Sequence, residues 1–160
     1  NSHSNKLLNT YQSERFSNVK EYIKTTMRMG SFINAMSSIK ITKNISSNQQ
    51  GVKSMKSIKP KLGNGLGNSK DKLRGKIFPQ FKIKNGKNFD EKFSKNPILI
   101  TLPKFKNKIS KNVNYINSNK VNGLSDYLIE KKTKGIIVRP DRFILGSINP
   151  KKSLKTIDLI

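Results

Sequence analysis

The amino-acid sequence predicts an α/β protein with a long N-terminal helix, a basic connector and a small α/β domain that ends in a β-hairpin and a helix. Three observations support this prediction. Apolar residues recur every three or four positions over residues 6–36, which is the period of an amphipathic helix. From residue 73 onward, short apolar runs alternate with turn signals, as in a small sheet. Hydrophobic residues make up only 33% of the 160 residues, so the core must be small.

The first predicted element is the helix, within an N-terminal unit of residues 1–36. Its apolar side chains form one stripe, which we expect to face a core. Its basic residues lie largely off that stripe, so they face either solvent or phosphate. The stripe consists of Leu7, Leu8, Tyr11, Phe16, Val19, Tyr22, Ile23, Met27, Met29, Phe32, Ile33 and Met36.

The second predicted unit is a flexible connector over residues 37–72. Ser, Asn, Gln, Gly and Lys crowd together there, and no acidic residue lies between Glu21 and Asp71. The glycine-rich run at residues 62–68 matches neither the dinucleotide-binding spacing nor the P-loop spacing. We expect this connector to run along RNA and to contact phosphates through Lys40, Lys43, Lys53, Lys56, Lys59, Lys61 and Lys70.

The third predicted unit is the α/β domain over residues 73–160. Its central feature is an apolar run of the length of a buried strand, at residues 97–102. The Asn85-Gly86 pair predicts a turn, and Ser125 is the expected cap of a short helix. The other predicted elements are a strand in residues 76–83, a helical turn at 89–93, strands at 113–116, 136–138 and 143–145, a helix at 123–130 and a closing helix near 154–160.

Charge gives the strongest indication of function. The chain has 33 Lys and Arg residues against 9 Asp and Glu residues, a formal net charge of +24. Small soluble domains usually have a net charge of about 2–8. So large an excess destabilises the compact state unless a polyanion lies beside it, and nucleic acid is the commonest polyanion. A second lysine-rich stretch should also contact RNA phosphates, through Lys104, Lys106, Lys108, Lys111 and Lys120.

Residues suited to metal or nucleophilic chemistry are scarce. Cysteine is absent, and His3 is the only histidine, so no thiolate site or zinc site is predicted. The adjacent acids Asp90 and Glu91 are expected to be solvated rather than catalytic. We therefore predict no catalytic, cofactor-binding or metal-ligating residue and expect no cofactor. No apolar run approaches the length of about 20 residues that a membrane span needs.

Five blocks of the sequence resemble parts of a known family: residues 7–15, 27–30, 75–86, 98–102 and 136–144. The family is that of the FAD-dependent aromatic-ring hydroxylases, of the phenol hydroxylase and 3-(3-hydroxyphenyl)propionate hydroxylase types, and the blocks resemble its C-terminal region. Residues 7–15 (LLNTYQSER) and 27–30 (MRMG) are similar to parts of a long helix that follows the family's last flavin-contacting motif. Residues 75–86 (GKIFPQFKIKNG) and 98–102 (ILITL) resemble the entry and first core strand of its C-terminal domain, and residues 136–144 (IIVRPDRFI) resemble its closing hairpin. The resemblance implies that residues 73–160 form a thioredoxin-like domain without redox cysteines.

The resemblance also implies which parts of such an enzyme this chain lacks. It has neither the Gly-x-Gly-x-x-Gly fingerprint of the family's FAD-binding domain nor its later Gly-Asp motif, and no residue matches a flavin-contacting or catalytic position. Tyr11, Glu14 and Arg15 are expected to pack or pair for structural reasons. We expect the closing hairpin to be held by three residues, because proline presets φ and an aspartate can accept hydrogen bonds from turn amides. These are Arg139, Pro140 and Asp141.

The leading functional prediction is a non-enzymatic, RNA-associated structural component of a large ribonucleoprotein. We expect an organellar (mitochondrial) ribosome, with rRNA and neighbouring proteins as partners; the other expected location is the cytoplasm. The first alternative is the C-terminal portion of a FAD-dependent hydroxylase that is split or only partly represented, with FAD held by a separate domain. The second alternative is a basic structural subunit of a membrane complex or a virion. In that case anionic lipid or the genome supplies the opposite charge.

Overall fold

The structure is a computed structural model that describes residues 2–38, 58–83, 86–92, 95–103 and 112–148. It confirms the predicted α/β fold, in which a long N-terminal helix precedes a small mixed sheet. The elements in chain order are α1 (Ser2–Ser38), a 3-10 turn (Phe89–Lys92), β1 (Ile98–Thr101), β2 (Asn114–Asn117), a second 3-10 turn (Ser118–Lys120), α2 (Leu124–Glu130), β3 (Gly135–Val138) and β4 (Ile144–Ile148).

The four strands form one sheet in the order β2-β1-β3-β4. β1 is parallel to β2, whereas β3 is antiparallel to both β1 and β4. This order and these directions are those of a thioredoxin-like sheet, which the sequence resemblance implies. The predicted hairpin corresponds to β3 and β4, and its register shifts between Ile137 and Val138. Such a bulge increases the local twist of the pair.

The core lies on both faces of the two central strands, β1 and β3, whose residues are all buried. Side chains alternate between the faces because the period of a strand is two. Ile98 and Ile100 pack on the face that α2 covers, together with Leu124 and Leu128. The opposite face holds a smaller cluster, which consists of Leu99, Ile137, Leu145 and Ile148.

Four aromatic side chains form one end of the larger cluster. Phe78 is 1% exposed, and its ring centroid lies 5.3 Å from that of Phe81 and 5.5 Å from that of Phe89. Tyr127 of α2 meets Phe78 edge-on at 6.0 Å. Burial raises the pKa of the Tyr127 phenol. Rings tilted at these distances add stabilisation beyond the area they bury.

Residues 76–83 do not form the predicted strand, although they supply part of the core. They make only isolated bridges, such as Ile77 to Phe143 and Ile83 to Val121. Pro79 explains the difference, because proline has no N–H to donate to a continuous ladder. At the predicted turn, the Gly86 N–H donates to the Ile83 carbonyl at 2.9 Å and Gly86 has φ +81°, while Asn85 lies outside the described residues.

The expectation that the apolar stripe of α1 faces a core is wrong. The side chains from residue 8 to residue 34 are described, and of these only Glu14 and Asn18 are buried. The reason lies in the surface that α1 meets, which consists mainly of backbone groups and charged side chains. The Asn18 amide donates to the Pro60 carbonyl at 3.0 Å, and the Gly63 N–H donates to the Glu14 carbonyl at 2.8 Å.

Two other local expectations differ from the structure. Ser125 does not cap α2; the helix begins after Gly123, whose φ is +72°, and no side chain caps it. Ser125 instead shares a 2.7 Å hydrogen bond with Ser118. The last part of the expected flexible connector, residues 58–72, packs against the domain, where Leu62 is 5% exposed and its N–H donates to the Gly75 carbonyl at 2.8 Å. Residues 39–57 and the predicted closing helix lie outside the described residues.

Candidate functional site

The most densely bonded polar site is an ion-pair cluster around Glu14, where α1 meets the domain. Glu14 is 3% exposed. Its Oε1 accepts a hydrogen bond from the Leu66 N–H at 2.8 Å and lies 3.5 Å from Arg74 Nη2. Its Oε2 accepts a bond from Arg139 Nη1 at 2.7 Å. A carboxylate this buried is tolerated only when charged and polar donors surround it, as they do here.

Two arginines complete the cluster from different parts of the domain. Arg74 is 4% exposed and also donates from Nε to the Leu66 carbonyl at 2.5 Å and from Nη1 to the Gly63 carbonyl at 2.9 Å. Arg139 donates from Nη2 to Asp141 Oδ2 at 2.8 Å. Burial opposes the Arg139 charge, but the hydrogen bond that Arg139 donates to Glu14 and the nearby Asp141 carboxylate outweigh it and raise the Arg139 pKa.

Two of the three predicted hairpin residues, Arg139 and Asp141, contact α1 as well as their own turn. Asp141 Oδ1 accepts a bond from the Phe143 N–H at 3.3 Å, so this aspartate does bond to a turn amide. Arg15 of α1 lies 3.8 Å from Asp141 Oδ2, and its guanidinium carbon is 5.3 Å from the centre of the Phe143 ring. Pro140 is exposed in the turn between β3 and β4. The hairpin and α1 thus share one polar interface.

This cluster has the chemistry of a structural clamp. The Glu14 and Asp141 carboxylates are bonded to guanidinium groups and backbone amides, whereas a general base needs an oxygen that can accept a substrate proton. Within the described ranges, no three His, Cys, Asp or Glu residues lie close enough together to hold a metal ion. In the same ranges, no helix combines the length and the apolar character that crossing a membrane requires.

Gly65 provides a direct test of how closely the clamp is packed. A Cβ at this position would overlap Cγ of Glu14. We expect Gly65→Ala to lower the free energy of unfolding by about 1–3 kcal/mol, the usual range for overpacking. Urea unfolding measures the change.

The matched control for that experiment is Gly30→Ala on α1, where an added Cβ meets no atom within 4 Å. This replacement should stabilise the helix by about 0.5–1 kcal/mol, because alanine loses less backbone entropy than glycine. Equal unfolding midpoints for Gly65→Ala and the wild-type chain would contradict the packing described for Glu14.

Four of the predicted phosphate-contacting lysines lie in the described ranges, and all four are exposed: Lys59, Lys61, Lys70 and Lys120. Lys59 and Lys61 alternate with the buried Pro60 and Leu62, so both point away from the domain beside α1. Lys70 and Lys120 lie on separate segments. The remaining predicted lysines lie outside the described residues; they are Lys40, Lys43, Lys53, Lys56, Lys104, Lys106, Lys108 and Lys111.

Most of the described acidic residues already have bonding partners, so they offset little of the charge on the other lysines. Six of the acids in the described part of the chain have bonding partners, and several of these partners are close in sequence. Lys24 lies 3.8 Å from Glu21, Lys87 lies 3.8 Å from Glu91, and Lys131 lies 2.7 Å from Glu130. Asp71 accepts hydrogen bonds from the Leu73 and Ser147 backbone amides. The other two are Glu14 and Asp141.

Sequence reasoning missed several members of the clamp, above all Arg74, Gly63 and Gly65. The usable signal was the glycine-rich run at residues 62–68, which has the spacing of no phosphate-binding motif. Glycines in such a run permit a close backbone approach. A second signal was Glu14, one of only two acids on α1.

No family model matches the chain, and no curated protein matches it. Among solved structures, the chain is similar to OxyS anhydrotetracycline hydroxylase from Streptomyces rimosus, with a TM-score of 0.45 and 15% sequence identity. The match covers 59% of this chain and 21% of that chain, so this chain spans about a fifth of that protein. The similarity is weak and carries no argument about family or activity.

Proposed function

We propose that this chain is a structural, non-catalytic protein that binds RNA phosphates within a large ribonucleoprotein. The assembly that we propose is an organellar (mitochondrial) ribosome, with rRNA and neighbouring proteins as partners. The observation that carries the proposal is the net charge of +24 on 160 residues. A polyanion beside the chain removes the self-repulsion that this charge would otherwise cause.

The distribution of the cations supports lysine as the phosphate-contacting residue. Four of the five arginines bond within the fold, and two of them belong to the Glu14 clamp. The charge that remains is mainly that of lysines, such as the exposed pair Lys59 and Lys61. Lysine binds phosphate as a point charge, which positions a protein on RNA without reading the sequence.

The test is the affinity of the full chain for a structured rRNA fragment, measured between 50 and 200 mM salt. Each neutralised phosphate contributes about −0.7 to −0.9 to the slope of log K against log salt. We expect affinity to fall by about 10³-fold or more, which corresponds to six to ten phosphate contacts. A slope close to zero would remove RNA-backbone binding as the function.

Matched variants test which lysines contribute to the slope of log K against log salt. Replacing both Lys59 and Lys61 by glutamine should make the slope shallower by about 1.4–1.8, because two phosphate contacts are lost. Lys131→Gln is the control, because Lys131 bonds to Glu130 at 2.7 Å and should leave the slope unchanged. An identical slope for the double variant and the control would contradict the assignment of Lys59 and Lys61.

We propose as a second candidate that the chain serves as the C-terminal portion of a FAD-dependent hydroxylase whose flavin domain is a separate unit. The specific observation that favours it is the sequence block at residues 136–144, which lies on the β3–β4 hairpin of a thioredoxin-like sheet. In that case the native protein should purify with a flavin-containing partner and show flavin absorbance. RNA should then be absent from the preparation.

A further inference from the structure

The second half of α1 extends beyond the domain. Every side chain from Thr26 to Asn34 is exposed, whereas Glu14 and Asn18 in the first half are buried. Large apolar side chains nevertheless continue along this half and reach 68% exposure at Met27. An amphipathic helix normally turns its apolar residues toward a core. This helix therefore presents an apolar surface that is exposed in the part of the chain that the structure describes.

The exposed apolar residues from Phe16 to Ile33 form two stripes. The front stripe consists of Phe16, Val19, Ile23 and Met27, which are 48–68% exposed. The back stripe consists of Tyr22, Met29, Phe32 and Ile33, which are 39–62% exposed.

The two stripes lie on different sides of the helix. At 3.6 residues per turn, their centres are roughly 125° apart around the axis. A third side carries a basic row at four-residue spacing, which consists of Lys20, Lys24 and Arg28.

This geometry distinguishes between four kinds of surface that could cover α1: a bilayer, a second copy of the chain, RNA and another protein. A flat bilayer covers one side of a helix that lies in its plane, so it would leave one stripe in water. A second copy of the chain would bring a second charge of +24 and a second basic row to the same place. RNA supplies charge but no apolar groove. An acidic protein with a deep groove can bury both stripes and place carboxylates against the basic row.

We propose that α1 is a docking helix that inserts into the apolar groove of an acidic protein. The front and back stripes are buried together, and Lys20, Lys24 and Arg28 face carboxylates on the rim of the groove. This binding goes beyond RNA association and uses different residues from the phosphate contacts at Lys59 and Lys61. In a large assembly, it would join the chain to a protein neighbour.

The probe for this chemistry is calmodulin, an acidic protein whose methionine-rich groove opens when calcium binds. Fluorescence anisotropy of labelled calmodulin, titrated with the full chain at 150 mM salt, gives the affinity with calcium and with a chelator. The chelated form is the matched control, because it stays acidic while its groove is closed. We expect binding at least tenfold tighter with calcium.

Substitutions in each stripe test whether both are buried. Ile23→Asp in the front stripe and Phe32→Asp in the back stripe should each weaken the calcium-dependent binding at least tenfold. Ile129→Asp on α2 is the control, since Ile129 is 63% exposed and lies outside α1. It should leave the affinity unchanged. The far-ultraviolet circular dichroism of each variant checks that the helix persists. If an apolar variant loses its helix, the charge reversal Lys24→Glu tests the proposed contact between the basic row and the rim of the groove.

Four outcomes would overturn the proposal. Equal affinity with calcium and with chelator would show that charge alone drives binding. If the substitution in only one stripe weakens binding, and the chain also floats with vesicles rich in phosphatidylserine, α1 would be assigned to a membrane surface. Concentration-dependent dimerisation in sedimentation equilibrium would assign it to a second copy. No detectable binding would show that α1 does not enter such a groove. The salt dependence of RNA affinity is measured separately, so either proposal can fail without the other.

Discussion

Replacing Glu14 by alanine is expected to lower the free energy of unfolding by about 3–5 kcal/mol, the usual cost of removing one partner of a buried ion pair. The replacement leaves Arg74, which is 4% exposed, without its carboxylate. It also removes the acceptor for Arg139 Nη1 and for the Leu66 N–H. These losses occur in one place, where α1, the glycine-rich segment and the hairpin meet.

Urea unfolding followed by circular dichroism measures this cost. Glu21→Ala is the matched control, because Glu21 lies on the same helix and forms an exposed pair with Lys24 at 3.8 Å. Exposed pairs of this kind contribute about 0–1 kcal/mol. Glu14→Gln keeps the volume but removes the charge, so it should remain clearly destabilised. A loss for Glu14→Ala no larger than that for Glu21→Ala would show that the clamp does not hold α1 on the domain.

Phe78→Ala is the second replacement expected to have a large effect, with a loss of about 3–5 kcal/mol. The Phe78 ring is 1% exposed and touches both Phe81 and Phe89. Its removal leaves a cavity in the larger core cluster, and the surrounding side chains can fill such a cavity only in part. The Phe78 N–H also donates to the Arg142 carbonyl at 2.8 Å, which fixes the backbone that carries the ring.

Thermal and urea unfolding both report this loss. Phe16→Ala on α1 is the control, because Phe16 is 65% exposed and its removal should change stability by less than about 0.5 kcal/mol. Phe78→Leu retains most of the volume and should give an intermediate value. A Phe78→Ala protein as stable as the Phe16→Ala protein would mean that residues 76–83 do not belong to the core.

The hairpin and the central strand were predictable because their signals are local. The run at residues 97–102 has the length and composition of a buried strand, and β1 lies within it at Ile98–Thr101. Arg139, Pro140 and Asp141 separate two short apolar runs, which become β3 and β4. A period of two and a turn between strands depend on neighbours in the chain. The strand predicted at residues 76–83 did not form, and Pro79 within it was a local indication against a continuous strand.

The role of α1 was not predictable from its pattern. Spacing showed which residues share a side of the helix, and the helix forms as expected. Spacing did not show which side meets the domain, since that depends on what the domain presents. The domain presents backbone carbonyls and Arg74, so the polar residues Glu14 and Asn18 are buried and the apolar stripes stay exposed.

The sequence by itself determined the α/β class, the long helix, the excess of cations and the scarcity of residues for metal or nucleophilic chemistry. These properties follow from composition and from interactions between residues that are near each other in the chain. Only the tertiary structure decided that Glu14 joins Arg74 and Arg139, which are 60 and 125 residues away. It also decided which residues of α1 meet the described part of the domain. Both depend on the distance between groups in the folded chain, and sequence spacing does not encode that distance.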